Sequence, residues 1–240
     1  LPPDAGEPPH SSLDFVEAKT KTLRASGDTS SCVYHSVTCC PGGRPLFAAN
    51  EDRPVIAARA RGARWSKKAL APLGTTLDPA MRAGVARGWL EDAFAEHASV
   101  ASFARASLEL LAVGAPPSLL AAHQRAGLQE VRHAERCFAL ARAYGGDAID
   151  PGPLAIPLPR AGGLPRLASD LLVEGCIAET IGALLASRAL EDCSAGPVRD
   201  ALQVIAAEEA AHAALAWKTL AWAIEEGGAD VVRAVLDRAR

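Results

Sequence analysis

From Asp78 onward the chain is punctuated as four long helices joined by a short, a long and a short connection. That punctuation limits the fold more than any other feature. Asp78-Pro79 is a helix start, a capping carboxylate followed by a proline at the first helical position. The first helix is predicted to run to about Val113, where Gly114 and Pro116-Pro117 stop it. Ser118 is the expected cap of the second, which ends at Tyr144 before Gly145-Gly146. A connection rich in proline and glycine comes next, from Asp147 to about Gly163. The third helix is predicted over roughly Pro165 to Cys193, and Gly196-Pro197 separates it from a fourth that reaches about Glu226. Gly227-Gly228 ends that helix, and Ala229–Arg240 reads as a short amphipathic fifth helix. Short loops force antiparallel neighbours, and a long middle connection can cross the length of a bundle. The expected fold is therefore all-α: an antiparallel four-helix bundle over residues 78–240 with one long crossover.

Composition agrees. Alanine and leucine dominate while aromatics are 5% of residues, which suits closely packed helices. A net charge of -3 supplies no basic field for nucleic acid. No run of 18 apolar residues exists, so no membrane-spanning helix is expected. The chain starts at Leu1 with a proline-rich polar stretch, which suggests that a leader or tag has been removed upstream. The compartment is not fixed by the sequence, with the cytoplasm slightly favoured.

Residues 1–77 read as an N-terminal extension, irregular except for a small β-hairpin packed on the helical domain. Val33, His35 and Val37 alternate, Pro41-Gly42-Gly43 is a turn signal, and Leu46-Phe47 with Val55-Ile56 suggests a return strand. Arg59, Arg61, Arg64, Lys67 and Lys68 form a basic run. Without interleaved aromatics it reads as a solvated linker rather than an RNA surface. Cys137, Cys176 and Cys193 fall in predicted helices as small buried apolar groups. Cys32, Cys39 and Cys40, with His35 nearby, leave thiols, a disulfide and a zinc site open, in that order.

The helices carry acids where apolar residues belong. Glu96 falls on the stripe Val85, Trp89, Ala93, Val100, Phe103. Glu130 and His133 fall among Ala126, Ala134, Cys137 and Ala141. Glu174 lies in line with Leu167, Leu171, Ala178, Ile181 and Leu185, and Glu209 and His212 with Leu202, Ile205, Ala216 and Leu220. Residues three or four apart share a helix face, so all six point at one core. Residues equidistant from a hairpin loop lie side by side. Glu96 precedes Glu130 by 34 positions and Glu174 precedes Glu209 by 35, which places both pairs at a similar depth. Four buried carboxylates cost several kcal/mol each if unpaired. Two divalent cations would neutralise them, and oxygen ligands with two imidazoles suit iron or manganese. In each Glu-x-x-His the two side chains are one turn apart and can reach one ion.

Glu96, Glu130-Val131-Arg132-His133, Glu174 and Glu209-Ala210-Ala211-His212 together resemble the ligand pattern of the ferritin-like superfamily of non-haem di-iron carboxylate proteins, over about residues 79–226. The resemblance implies two iron ions, with manganese as the alternative. It implies Glu96, Glu130 and His133 on one half-site, Glu174, Glu209 and His212 on the other, and Glu130 and Glu209 as bridges. It further implies an acidic residue before each Glu-x-x-His that hydrogen-bonds the opposite histidine. Glu208 fills one such place and Gln129, a departure, the other. Arg132 resembles the form seen in several oxygen-activating members. Glu179, five residues after Glu174, is a possible additional ligand, a proton relay or a buried acid paired elsewhere. His97 is expected at the surface or behind the ligands, and His123 is expected to be exposed.

The function expected from this resemblance is an enzyme, a di-iron oxygenase or oxidase that activates O2 to oxidise or hydroxylate an organic substrate. Electrons would come from a separate donor, and a homodimer is compatible. The alternatives are a ferroxidase or other iron-handling protein, then a peroxidase or manganese catalase that takes peroxide. The only tyrosines are Tyr34 and Tyr144, and Tyr144 is about 16 Å along the helix from His133, which argues against a radical generator; no Cys-x-x-Cys pair offers a rubredoxin-type centre. Small residues near the ligands (Ala93, Ala126, Gly127, Gly175, Ala178) leave either a cavity or tight helix packing.

Overall fold

The computed structural model describes residues 43–48, 54–67, 69–156, 162–193 and 196–240. It is mostly helical. In chain order the elements are β1 (Arg59–Arg61), α1 (Pro79–Ala112), α2 (Pro117–Ala143), β2 (Ile149–Pro151), α3 (Gly163–Leu171), a π-helical turn (Leu172–Ile177), α4 (Ala178–Glu191) and α5 (Pro197–Arg238). Asp78 caps α1 as expected, its Oδ1 accepting from Ala80 N at 2.9 Å and Met81 N at 3.4 Å. Ser118 does not cap α2; Pro116 takes that position and contributes no side-chain bond. Proline at the first position fixes φ for the helix and removes a donor that would otherwise lack a partner. Gly145, at φ 85°, supplies the left-handed turn that ends α2.

α1 packs along α2, α3 and α4 pack along α5, and α2 crosses to α5. The core between them contains Trp89, Ala93, Phe94, Phe138, Leu140, Leu202 and Ile205. A second cluster joins Leu171, Leu172 and Cys176 to Leu220, Ala223 and Val231. The last of these lies beyond Gly228, whose φ of 55° and ψ of -136° break α5. The C-terminal turns therefore fold back as the expected short fifth helix.

Three expectations change here. The third helix is not one regular element: the π turn divides it into α3 and α4. The expected hairpin falls partly outside the described residues; within them Val55 N donates to the Leu46 carbonyl at 2.7 Å. Phe47 and Pro54 share an isolated antiparallel bridge, and β1 pairs antiparallel with β2 of the long connection. The basic run thus includes a strand, with Arg59, Arg61, Arg64 and Lys67 exposed. Val33, His35 and Val37, with Cys32, Cys39 and Cys40, lie outside the described residues. Cys193 is in a disulfide rather than a buried thiol, whereas Cys137 and Cys176 are free and buried. No helix among the described residues is long and apolar enough to cross a membrane.

Candidate metal centre

Five of the six expected ligands converge. Glu96, Glu130, His133 and Glu209 form one buried set, and Glu130, Glu179, Glu209 and His212 form another. Within each set one ligand atom per residue lies within 4.8 Å of all the others. Glu130 and Glu209 belong to both, the position of a bridging carboxylate. Each carboxylate comes from a different helical segment: Glu96 from α1, Glu130 from α2, Glu179 from α4 and Glu209 from α5.

Glu174 is the correction. It is buried, but its Oε2 accepts from Arg105 Nη2 at 2.5 Å and faces Arg44 Nη2 at 4.0 Å, and it belongs to neither set. The physical reason is the π turn. An i→i+5 turn brings residues five apart close to one face, so Glu174 and Glu179 both point inward but at different depths. Residues equidistant from the α4–α5 connection near position 194 are 179 and 209, and Glu179 is the one level with the other ligands. Beyond the π turn the buried face moves on by one position: Glu179 and Gly182 are buried, while Ile181 is 38% exposed. A count that assumes 3.6 residues per turn throughout misses this. The only sequence signal for it is the second acid itself, with Gly175 beside it.

The histidines are fixed from behind. His133 Nε2 is 2.7 Å from Glu208 Oε2, and His212 Nε2 is 2.9 Å from Gln129 Oε1. Both partners are acceptors for an Nε2–H, so each ring turns Nδ1 inward. His133 Nδ1 lies 3.3 Å from Glu209 and 3.6 Å from Glu130, and His212 Nδ1 lies 2.9 Å from Glu130 and 3.6 Å from Glu209. Arg132 extends the first chain outward, 3.4 Å from Glu208.

Nearly every buried polar atom in a folded protein has a partner. Here Oε2 of Glu96, both oxygens of Glu130, Glu179 and Glu209, and Nδ1 of both histidines have none. The orphaned atoms are those that face one another, and they are a hard-donor set with two imidazoles. As protein groups alone they titrate as one interacting cluster. Burial, then the neighbouring Glu130, raises Glu96 well above the usual carboxylate range, and burial with Glu209 and Glu130 does the same to Glu179. Burial also pushes Glu130 up, but the adjacent His133 and His212 imidazoles outweigh it and hold Glu130 low. Burial disfavours the His212 cation, yet Glu130 and Glu209 raise that imidazole to about 9. His133 moves upward against burial for the same reason. The protons that these groups retain are those a cation would displace, so the residues fit a metal ion.

The extension contributes a wall that sequence reasoning missed. α1 and α4 make at most marginal direct contact, and the segment Gly43–Phe47 lies between Glu96 of α1 and Gly182 of α4. Gly43 has φ 76°, and a Cβ there would come within 2.8 Å of Glu96 Oε2 and closer still to Ser99 Oγ. A Cβ at Gly182 would lie 3.4 Å from Glu209 Oε2 and 3.6 Å from Gly43 N. Only glycine fits the first position, and it lets the strap's backbone touch the centre. The strap is held by Ser102 Oγ donating to the Pro45 carbonyl at 3.2 Å and Arg105 Nη1 donating to the Phe47 carbonyl at 2.7 Å. Leu46 is fully buried against Ala98 and Ala101.

The remaining expectations divide. His97 is no ligand: it is half-buried, edge-on to Trp65 at 5.0 Å. His123 is not exposed but buried, with Nε2 3.1 Å from Thr219 Oγ1. The small residues at Gly127 and Gly175 serve tight packing, since a Cβ there would approach Phe103 Cβ at 3.3 Å and Ala216 Cβ at 3.0 Å.

Comparison with known families, curated proteins and solved structures finds no match. The functional reading therefore rests on the site's own geometry.

Proposed function

We propose that the chain is a ferritin-like di-iron carboxylate oxidoreductase that uses O2 to oxidise or hydroxylate an organic substrate. The observation that carries it is the pair of buried sets sharing Glu130 and Glu209, whose facing atoms have no partner within the protein. Four carboxylates and two neutral imidazoles balance two divalent ions and match the hard ligand preference of iron. Bound iron would supply the redox chemistry that activates dioxygen, with its electrons replenished by a separate reductant.

The protein's own groups do the rest. Glu96 with His133, and Glu179 with His212, would hold metal from the two separate sets, and Glu130 and Glu209, which belong to both, would contribute to each. Glu208 and Gln129 keep both Nε2 protons directed away from the centre, so neither ring can turn its lone pair outward. The His133–Glu208–Arg132 chain leads from the buried imidazole to the surface; burial would raise the Glu208 carboxyl, but Gln129, His133 and Arg132 outweigh it and lower it, so it stays an anionic acceptor for the His133 Nε2 proton. The strap excludes bulk water from the α1–α4 side.

The reading is tested by loading the purified chain with Fe(II) without oxygen, measuring iron per chain, and then following O2 uptake with an external reductant. Two irons per chain and stoichiometric O2 consumption are expected. A chain that retains no metal after desalting would sink the proposal, and uptake of many irons per chain would replace it with iron storage.

A further inference from the structure

We propose that Arg44, carried by the strap, forms a subsite for the carboxylate of an organic monocarboxylate substrate beside the metal centre. The substrate class rests on the di-iron reading above; the subsite rests on Arg44 itself. Arg44 is 2% exposed, and its Nε and Nη1 have no hydrogen-bond partner. Its one ion-pair partner among the described residues, Glu174, stands 4.0 Å from Nη2 and already accepts from Arg105 at 2.5 Å. The two arginines differ in this respect. Arg105 is spent on the Phe47 carbonyl, Glu174 and, at 3.9 Å, Glu109. Arg44 keeps a buried cation with donors unused, which a protein does not retain without an acceptor in its working state.

The groups around Arg44 lead toward the centre. The Arg44 guanidinium lies 5.4 Å from the centre of the Phe103 ring, and that ring is 5.2 Å from His212. An apolar wall therefore runs from the cation to a metal-facing imidazole. His123 also lies against Phe103, with ring centres 5.9 Å apart. Thr219 donates to the Leu215 carbonyl at 2.7 Å, so its oxygen accepts from His123 Nε2–H. His123 Nδ1 is left with a buried, unpartnered lone pair. Burial and the Arg44 charge keep that ring neutral, lowering it to about 3. No second buried cation competes for the carboxylate from that side. An anion on Arg44 with its carbon skeleton along Phe103 would point toward the metal-binding carboxylates.

The test is calorimetric titration of the full chain with benzoate and hexanoate, each against its neutral amide, in zinc-loaded and metal-free protein. The subsite predicts that a carboxylate binds at least about tenfold more tightly than its amide. Arg44→Gln should abolish that preference and Arg44→Lys should keep part of it, with zinc content and melting temperature recorded for each variant. Arg44→Lys retains the charge, so a folding defect in Arg44→Gln alone would not hide the answer. A preference dependent on Arg44 in either metal state supports the subsite. Equal binding of acid and amide, or unchanged preference in Arg44→Gln, would overturn it and leave Arg44 as a counter-ion of Glu174. Zinc content separately tests the metal centre, so failure of one reading is not mistaken for failure of the other.

Discussion

The α1–α2 half and the α4–α5 half offer the same donors, a glutamate plus Glu-x-x-His, but arrive at them by different backbones. In the first half the helix is regular, and Glu96 sits on the buried stripe with Trp89, Ala93 and Phe103. In the second half the π turn precedes the ligand, and two acids rather than one turn inward. The difference separates two tasks. Glu179 joins the metal set, while Glu174 binds Arg105, which in turn holds the strap through the Phe47 carbonyl. One irregular turn thus serves both the centre and its cover.

The sharpest way to break the comparison is to remove what the halves share. Glu130→Ala and Glu209→Ala each delete a member of both sets, so metal content should fall from about two ions per chain to fewer than one. Elemental analysis after desalting decides it, and full stoichiometry in either variant would end the assignment of these residues as bridges. Next comes the acid pair. Glu179→Gln should cost about one ion per chain with little change in folding. Glu174→Gln should keep both ions but lower stability by about 1–3 kcal/mol, because Arg105 loses its closest anion and is left with Glu109 at 3.9 Å. Metal analysis paired with urea melts reads both, and exchanged outcomes would mean that Glu174 is the ligand after all.

A subtler asymmetry lies behind the histidines, where one half uses Glu208 and the other Gln129. Glu208→Gln should weaken metal affinity about 10-fold to 100-fold, since the carboxylate makes the His133 ring a better donor. Gln129→Glu should tighten binding by a smaller factor at the opposite ion, with competition against a chelator as the measure. If both changes are silent, the contacts orient the rings without tuning them.

The sequence made much of this legible, and for a physical reason. Helix punctuation by Asp78-Pro79, Gly114 and Gly145-Gly146 is local chemistry, and the shared faces of Glu96, Glu130, His133, Glu209 and His212 come from a regular helical period. Glu208 and Gln129 were readable because they are chain neighbours of ligands. What stayed hidden depends on context. A π turn is an inserted residue in an otherwise regular pattern, and only the second acid, Glu179, hints that Leu172–Ile177 is one. Arg44 looks like any cation in a loop until the gap between α1 and α4 is known. His123 carries no mark of burial, because its partner Thr219 is 96 positions away.

The smallest expected effect concerns a support that one half has and the other lacks. Asp150 on β2 accepts from Arg64 N and Trp65 N, both at 3.0 Å, and from Arg64 Nε at 3.2 Å. It thereby pins the loop that sets Trp65 against His97 and Phe138 on the α1–α2 side. Burial of the carboxylate would raise its pKa, but the Trp65 and Arg64 amides and the Arg64 guanidinium outweigh this and lower it. Asp150→Asn should therefore destabilise the fold by about 1–3 kcal/mol at neutral pH. The depressed value sets the sign with pH. The contribution is fully present above the unfolded carboxyl pKa of about 3.9 and is lost as pH falls through the lower folded value. Urea midpoints of the two chains should differ at pH 7 and converge toward pH 3. A gap that persists in acid would show that the loop is held by the shape of the Asp150 side chain and not by its charge, and metal content unchanged throughout would place the support outside the centre itself.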